Sequence, residues 1–260
     1  MKISFIGAGR VATHLAHALY AQGFEIVQVY SRNLFHAQVL ARTVHATSID
    51  TLADIVATDL MVIAVSDQAI ESVITQLATL VDDHTLIVHT SGSTAMQILT
   101  KHHLRAGVFY PLQTFSLERE VNWSNTPFLL EAQYDADLLR LNEMARTLSQ
   151  QIYHYNSEQR LSLHLAAVFA NNFSNYCFDI AKQTVERNAV DFNLLTALMK
   201  ETAEKACQFD PKVVQTGPAM RQDQNTLDAH QSLLQQQQAE DHLAVYRLLS
   251  EHIKKRHQVK

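Results

Sequence analysis

Six residues near the start of the chain, Gly7-Ala8-Gly9-Arg10-Val11-Ala12, have the types and spacing to hold a pyrophosphate. The pattern is G-x-G-x-x-A. In such a turn Gly7 lets the chain fold tightly out of a strand, and Gly9 lets a phosphate approach the backbone. Ala12 lets a helix pack closely on a sheet. The first N–H groups of that helix, with the positive end of its dipole, complete an anion site. The context agrees: Lys2 to Ile6 is a short strand-like run, and Val11, Leu15, Ala18 and Leu19 recur at helical spacing. A second group follows the alternating run Phe24 to Tyr30. An NAD-binding chain usually carries Asp or Glu there for the ribose 2′-hydroxyl. This chain has Ser31-Arg32-Asn33, and Ser31 and Arg32 can hydrogen-bond and neutralise a 2′-phosphate. The sequence therefore favours NADP over NAD.

A third group lies deeper in the chain. Leu161, Leu163 and the run Leu165 to Ala170 are apolar on almost every side of a helix, which predicts burial all round. His164, Asn171 and Asn175 interrupt it. At α-helical spacing they fall within roughly 20° of one line on the helix surface. Buried polar side chains need partners. The stripe either faces a ligand cleft or is satisfied by neighbouring backbone or water, and spacing alone leaves both open. If it faces a cleft, His164 can move a proton near neutrality.

The elements that must carry these groups alternate in type. Strand patterns cover Val44 to Ala46, Asp59 to Val65, His84 to His89, Ala106 to Tyr110, Phe128 to Glu131 and Gln151 to Tyr155. Helical patterns cover Leu34 to Thr43, Gln68 to Leu80 and Asp135 to Ser149. This alternation predicts a doubly wound, mainly parallel sheet of Rossmann type, whose ligands bind outside the carboxyl ends of the strands. Gly7 to Ala12, Ser31-Arg32, Val65-Ser66-Asp67, Thr90-Ser91-Gly92 and Tyr110-Pro111-Leu112 then share one rim. The cofactor set is Gly7, Ala8, Gly9, Arg10, Val11, Ala12, Ser31, Arg32, Val65, Ser66 and Ser91. Any single Ser or Thr of the rim can equally be a helix cap.

At Asn156 the strand patterns stop. A long helix is predicted from Asn156-Ser157 to about Asn188, a second over Phe192 to Phe209, a loop over Gln215 to Asp223, then helices over Gln224 to Gln236 and Glu240 to Arg256. Asp223 is the expected N-cap of the first of the last two. The chain thus reads as a nucleotide-binding domain over 1–155 and an all-helical domain over 156–260.

Bulk properties narrow the function. The 260 residues are 47% hydrophobic and 18% charged, enough apolar content for a proper core. A net charge of −5 without a long basic run argues against nucleic acid as partner. No apolar run is long enough to span a bilayer, and no secretory signal pattern precedes the first strand. Cys177 and Cys207 form no C-x-x-C, which points to a reducing cytoplasm. The 14 histidines show no metal-binding spacing, so no metal is expected. A helix apolar all round is hard to enclose in about a hundred residues, which predicts a homodimer through the helical domain.

Several runs together resemble one family. They are Gly7 to Ala12, Ser31-Arg32, His89-Thr90-Ser91-Gly92, Pro111-Leu112-Gln113-Thr114-Phe115, and His164 with Asn171-Asn172. With them goes Thr216-Gly217-Pro218-Ala219, followed by Arg221, Asp223 and His230. The chain is similar to the bacterial NADP oxidoreductases with a Rossmann-like domain followed by a helical domain of unknown function. More distantly it resembles pyrroline-5-carboxylate reductases, deazaflavin-dependent NADP oxidoreductases, and the 3-hydroxyacid and 6-phosphogluconate dehydrogenase groups. The resemblance implies NADP in the first domain and a cleft between domains. It also implies a helical domain of 6-phosphogluconate dehydrogenase C-terminal type, and dimers through the helices. Two departures stand out. The 3-hydroxyacid dehydrogenases carry a catalytic Lys on the helix opening the second domain, and here no Lys lies between Asn156 and Ile180. Related chains often have His where this one has Tyr110.

These readings give two functions. One is an NADP-dependent oxidoreductase acting on a small carbonyl, imine or hydroxy acid. His164, Asn171 and Ser91 would be its catalytic candidates, and Tyr110, Asn175 and Arg221 its substrate contacts. Tyr110 is also a candidate proton donor, and Arg221 could clamp a substrate carboxylate. The other is an NADP-binding regulatory or sensing protein without turnover, supported by the missing Lys.

Overall fold

The computed structural model describes residues 1–258. The backbone divides into two compact units, Met1–Asn171 and Asn172 onward.

The first unit is built on a sheet of eight strands. They are β1 (Lys2–Ile6), β2 (Glu25–Tyr30), β3 (Thr47–Ile49), β4 (Leu60–Ile63), β5 (Leu86–His89), β6 (Ala106–Pro111), β7 (Phe128–Ala132) and β8 (Ile152–His154). Their spatial order is β3-β2-β1-β4-β5-β6-β7-β8. All neighbours run parallel except β6 and β7, which pair antiparallel. The order reverses between β1 and β4, and a crevice opens at such a switch point. The expected α/β architecture is therefore the observed one.

The helices of this unit are α1 (Arg10–Ala21), α2 (Leu34–Thr43), α3 (Ile70–Leu77), the short α4 (Gln97–Thr100), α5 (Asp135–Arg146) and α6 (Ser157–Ala167). Strand alternation sends Ile3 and Phe5 to one core with Leu15, Ala16 and Leu19 of α1. Ile6 goes to the other, with Ile70, Val73, Ile74 and Leu77 of α3. One strand lies later than its pattern suggested. Val44 is the buried C-cap of α2, and His45 takes a left-handed φ of 54°, so β3 begins only at Thr47. The Gln68 to Leu80 helix opens instead as a 3₁₀ turn over Asp67–Ala69 and ends at Leu77.

Asn156 caps α6 with a capping box, its side chain and that of Gln159 each serving the other's backbone N–H. Beyond α6 the helix does not stay α-helical. Val168–Phe173 form a π-helical turn before α7 (Ser174–Glu186). A π-turn advances the chain by more residues per turn. The α-spacing that aligned His164 with Asn171 and Asn175 therefore does not hold. The burial predicted for this stretch also differs. In the single chain Leu161, Leu165 and Phe169 are 49%, 57% and 63% exposed.

The second unit is helical. After α7 come α8 (Thr196–Gln208), α9 (Pro218–Arg221), α10 (Gln224–Gln236) and α11 (Glu240–His257). Asp223 caps α10, accepting from the Thr226 N–H at 3.2 Å. The predicted loop contains α9, one turn started by Pro218 and ended by Gln222 in a left-handed conformation. Leu234, Ala239 and Leu243 form the small core between α10 and α11.

Candidate active site

A cavity of about 980 Å³ opens in the first unit above the carboxyl ends of its parallel strands. The Gly7–Val11 turn forms one wall. Gly7 has φ +124°, and a Cβ there would stand 2.3 Å from the Ala64 carbonyl oxygen. Both facts require glycine, because the turn presses on the end of β4. Gly9 is different. Its φ is ordinary at −83°, and a Cβ built on it meets no protein atom within 4 Å. Neither backbone strain nor protein packing calls for glycine there, and the open space beside it leaves room for a ligand to approach the backbone. No side chain caps α1, so its first N–H groups remain available to an anion. Ala12 is buried behind the turn, as its packing role requires, and does not line the cavity.

Ser31 and Arg32 line the cavity beyond β2. The Ser31 hydroxyl accepts from the Asn33 N–H at 3.2 Å, and Asn33 in turn caps α2. Arg32 is exposed and has no hydrogen-bond or ion-pair partner among the described residues. A free guanidinium beside a serine suits a phosphate monoester. Val65, Ser66 and Asp67 continue the wall past β4. The glycine turn, Ser31, Arg32, Val65 and Ser66 fit a phosphorylated dinucleotide, whereas the Asp67 carboxylate does not belong to that set.

At the far side of the cavity three residues crowd together. The Tyr110 hydroxyl, at the end of β6, lies 3.3 Å from His164 Nδ1 on α6. Gly92 sits under both. A Cβ on Gly92 would stand 2.6 Å from that nitrogen and 2.7 Å from Tyr110 Cζ. Burial raises the Tyr110 pKa, and the Asp67 carboxylate adds to this against the opposing Arg160 charge, so Tyr110 stays a phenol. Ser93 donates its hydroxyl hydrogen to Asp67.

Ser91 lines the same cavity, but its hydroxyl is committed locally. It accepts from the backbone N–H groups of Ser93 and Thr94 and donates to Thr94 Oγ1 at 2.9 Å. Asn171 and Asn175 are exposed and line no part of the cavity. Arg221 is exposed on α9 in the second unit.

Two supporting residues have no sequence signature. Arg160 has a side chain 1% exposed, paired with Glu131 of β7, and it donates to the Thr94 carbonyl at 2.6 Å. Ser157 bridges the same Glu131 and the Met96 N–H, at 2.8 and 2.9 Å. The network ties the first turn of α6 to the loop after β5. His89 ends β5, fully buried, and its Nδ1 accepts from the Ser91 N–H at 3.1 Å. Burial foremost, and then the Arg160 charge, push its pKa down to about 3.

That shift carries a pH prediction. An unfolded chain protonates His89 as pH falls below about 6.5, whereas the folded one resists until about 3. In this window the unfolded state binds more protons, so acid costs stability at about 1.4 kcal/mol per pH unit. His89→Gln keeps an acceptor for the Ser91 N–H and removes the titration. Urea unfolding between pH 6.5 and 4 should show a shallower loss for the variant. Parallel curves would mean that His89 is protonated in the fold.

The two stretches of the chain match separate family models. Residues 2–92 match the family described as NADP oxidoreductase, coenzyme F420-dependent, and residues 126–253 match a domain of unknown function. A crystal structure from Bacteroides fragilis, described as a "putative NADP oxidoreductase", is 40% identical, covers 98% of both chains and superposes with a TM-score of 0.92. The chain belongs to this NADP oxidoreductase family. Its cofactor is accordingly NADP, in keeping with the Gly9 and Arg32 environments. A protein of Thermotoga maritima, 20% identical over 98% of both chains with a TM-score of 0.69, shares the fold. A comparison with functionally curated proteins finds no match. Among the described residues no helix is long and apolar enough to cross a membrane.

Proposed function

We propose that the protein is an enzyme that transfers a hydride between NADP(H) and a small carbonyl, imine or hydroxy acid. The observation that carries this reading is the Tyr110–His164 contact, placed across Gly92 in the cavity that the Gly7–Gly9 turn opens. The bound nicotinamide would supply the hydride. The protein must then hold the substrate and move one proton. Tyr110, kept as a phenol, donates to the reacting oxygen or nitrogen while His164 hands it a replacement. Gly92 forms the wall against which both rings are set. A panel of keto acids, aldehydes and imines with NADPH tests this. Oxidation of NADPH by at least one member supports it. Tight NADPH binding with no turnover across the panel favours a regulatory role.

The cofactor preference rests on Arg32. Losing a charge-assisted contact costs about 1.5–3 kcal/mol. Arg32→Ala should therefore weaken NADPH about tenfold or more while NADH changes little. Fluorescence titration reads both constants, and equal wild-type affinities would remove the argument.

We also propose assembly as a homodimer through the helical region. The exposure of Leu161, Leu165 and Phe169 in the single chain supports it, since apolar patches of this kind mark contact surfaces. Light scattering at micromolar concentration reads it, and a monomer would reject it. The free thiols of Cys177 and Cys207 support a reducing, cytoplasmic setting. Growth of a tagged copy and fractionation would check that placement.

A further inference from the structure

We propose that the substrate is an imine that reacts as its iminium cation, with the Asp67 carboxylate as counter-ion. The inference rests on the oxidoreductase reading and narrows its substrate class.

The cavity is divided by charge. Arg32 follows β2, Arg10 follows β1, Asp67 follows β4, and Tyr110 ends β6. At about 4.8 Å per strand, the four steps from β2 to β6 span roughly 19 Å. The two arginines therefore stand on the side of the phosphates. Asp67 stands between them and the Tyr110–His164 pair, and its charge is felt at Tyr110. Among the described residues Asp67 has no cationic partner, and its side chain is held only by the Ser93 hydroxyl. The buried Arg160 is occupied by Glu131 and lines no part of the cavity.

This charge discriminates between reactions. Carbonyl reduction builds negative charge on oxygen, which a nearby carboxylate opposes. A substrate carboxylate would be opposed in the same way. Imine reduction passes through a cation, which the carboxylate favours. Tyr110 passes its proton to the imine nitrogen and takes one from His164, giving the iminium. Bound NADPH would supply the hydride for the new C–H bond at the iminium carbon, with the C=N π pair moving onto nitrogen. The products are a neutral amine and NADP⁺, and His164 recovers its proton from water.

Binding to the NADP⁺-loaded protein tests this without turnover. Calorimetry would use three six-membered rings: piperidine as the cation, tetrahydropyran as its neutral counterpart, and cyclohexanecarboxylate as the anion. Piperidinium is expected to bind best. Asp67→Asn should weaken it by about tenfold or more while NADP⁺ affinity and tetrahydropyran binding stay within about threefold. Unchanged piperidinium binding in the variant, or tighter binding of the carboxylate, would overturn the inference. So would a loss of NADP⁺ affinity in Asp67→Asn, because Asp67 would then serve the cofactor. If the wild-type protein binds NADP⁺ and none of the rings, only the imine inference fails. If it does not bind NADP⁺, the oxidoreductase reading fails with it.

Discussion

Tyr110→Phe is expected to lower kcat by about 10²- to 10⁴-fold, the usual contribution of a positioned acid. The substitution removes one hydroxyl from a half-buried ring and leaves its packing in place. The lost contact is the 3.3 Å approach to His164 Nδ1. His164→Ala should act on the same step, since each residue moves the same proton. The double variant should then be little worse than either single one, because members of one unit are strongly non-additive. NADPH affinity should stay near wild type in all three, as neither side chain has a hydrogen bond to the Gly7–Val11 turn. Single-turnover measurements with the best substrate of the panel, beside NADPH titration, separate the two effects. Multiplicative losses would mean that the two residues act independently. A loss below tenfold in Tyr110→Phe would place the proton path elsewhere.

Much of this site could be read from residue order because its parts are local. A glycine turn between a strand and a helix needs only a dozen consecutive residues to be recognised. Gly7, Gly9 and Arg32 all line the cavity, and the φ and packing of Gly7 require glycine. The doubly wound, mainly parallel sheet followed from alternation of types, while β3 begins later than its pattern because a left-handed His45 delays it. The polar stripe failed for a different reason. Its geometry assumed one uninterrupted α-helix, and the π-turn at Val168–Phe173 breaks the periodicity on which Asn171 and Asn175 depended. His164 precedes that turn and does line the cavity. Tyr110 was visible as a rim residue, but its contact with His164 joins residues 54 apart. Ser91 lines the cavity, but its hydroxyl is engaged in its own turn, a pairing that residue order does not reveal. Arg160 left no trace at all. A charged residue in the first turns of a helix looks solvated unless its partner is known, and Glu131 lies 29 residues away.

Arg160 should therefore dominate the stability of the first unit. Arg160→Met keeps the length and apolar stem of the side chain and strands the Glu131 carboxylate, whose side chain is 13% exposed. Breaking a buried pair from one side costs about 3–5 kcal/mol. At roughly 2–4 °C per kcal/mol for a chain of this size, the melting temperature should fall by on the order of 10 °C. The hydrogen bond to the Thr94 carbonyl is lost as well, so α6 loses its tie to the loop that carries Gly92. His164 stands one turn beyond Arg160, on the same face of α6. Activity should fall in step, because the ring no longer meets Tyr110 squarely. A compensating change separates the causes. Adding Glu131→Gln removes the stranded charge, so the double variant should recover part of the lost stability. It should not recover the rate, since the anchor to Thr94 is still missing. A double variant no more stable than Arg160→Met would show that the cost comes from lost packing around the guanidinium and not from the unpaired carboxylate.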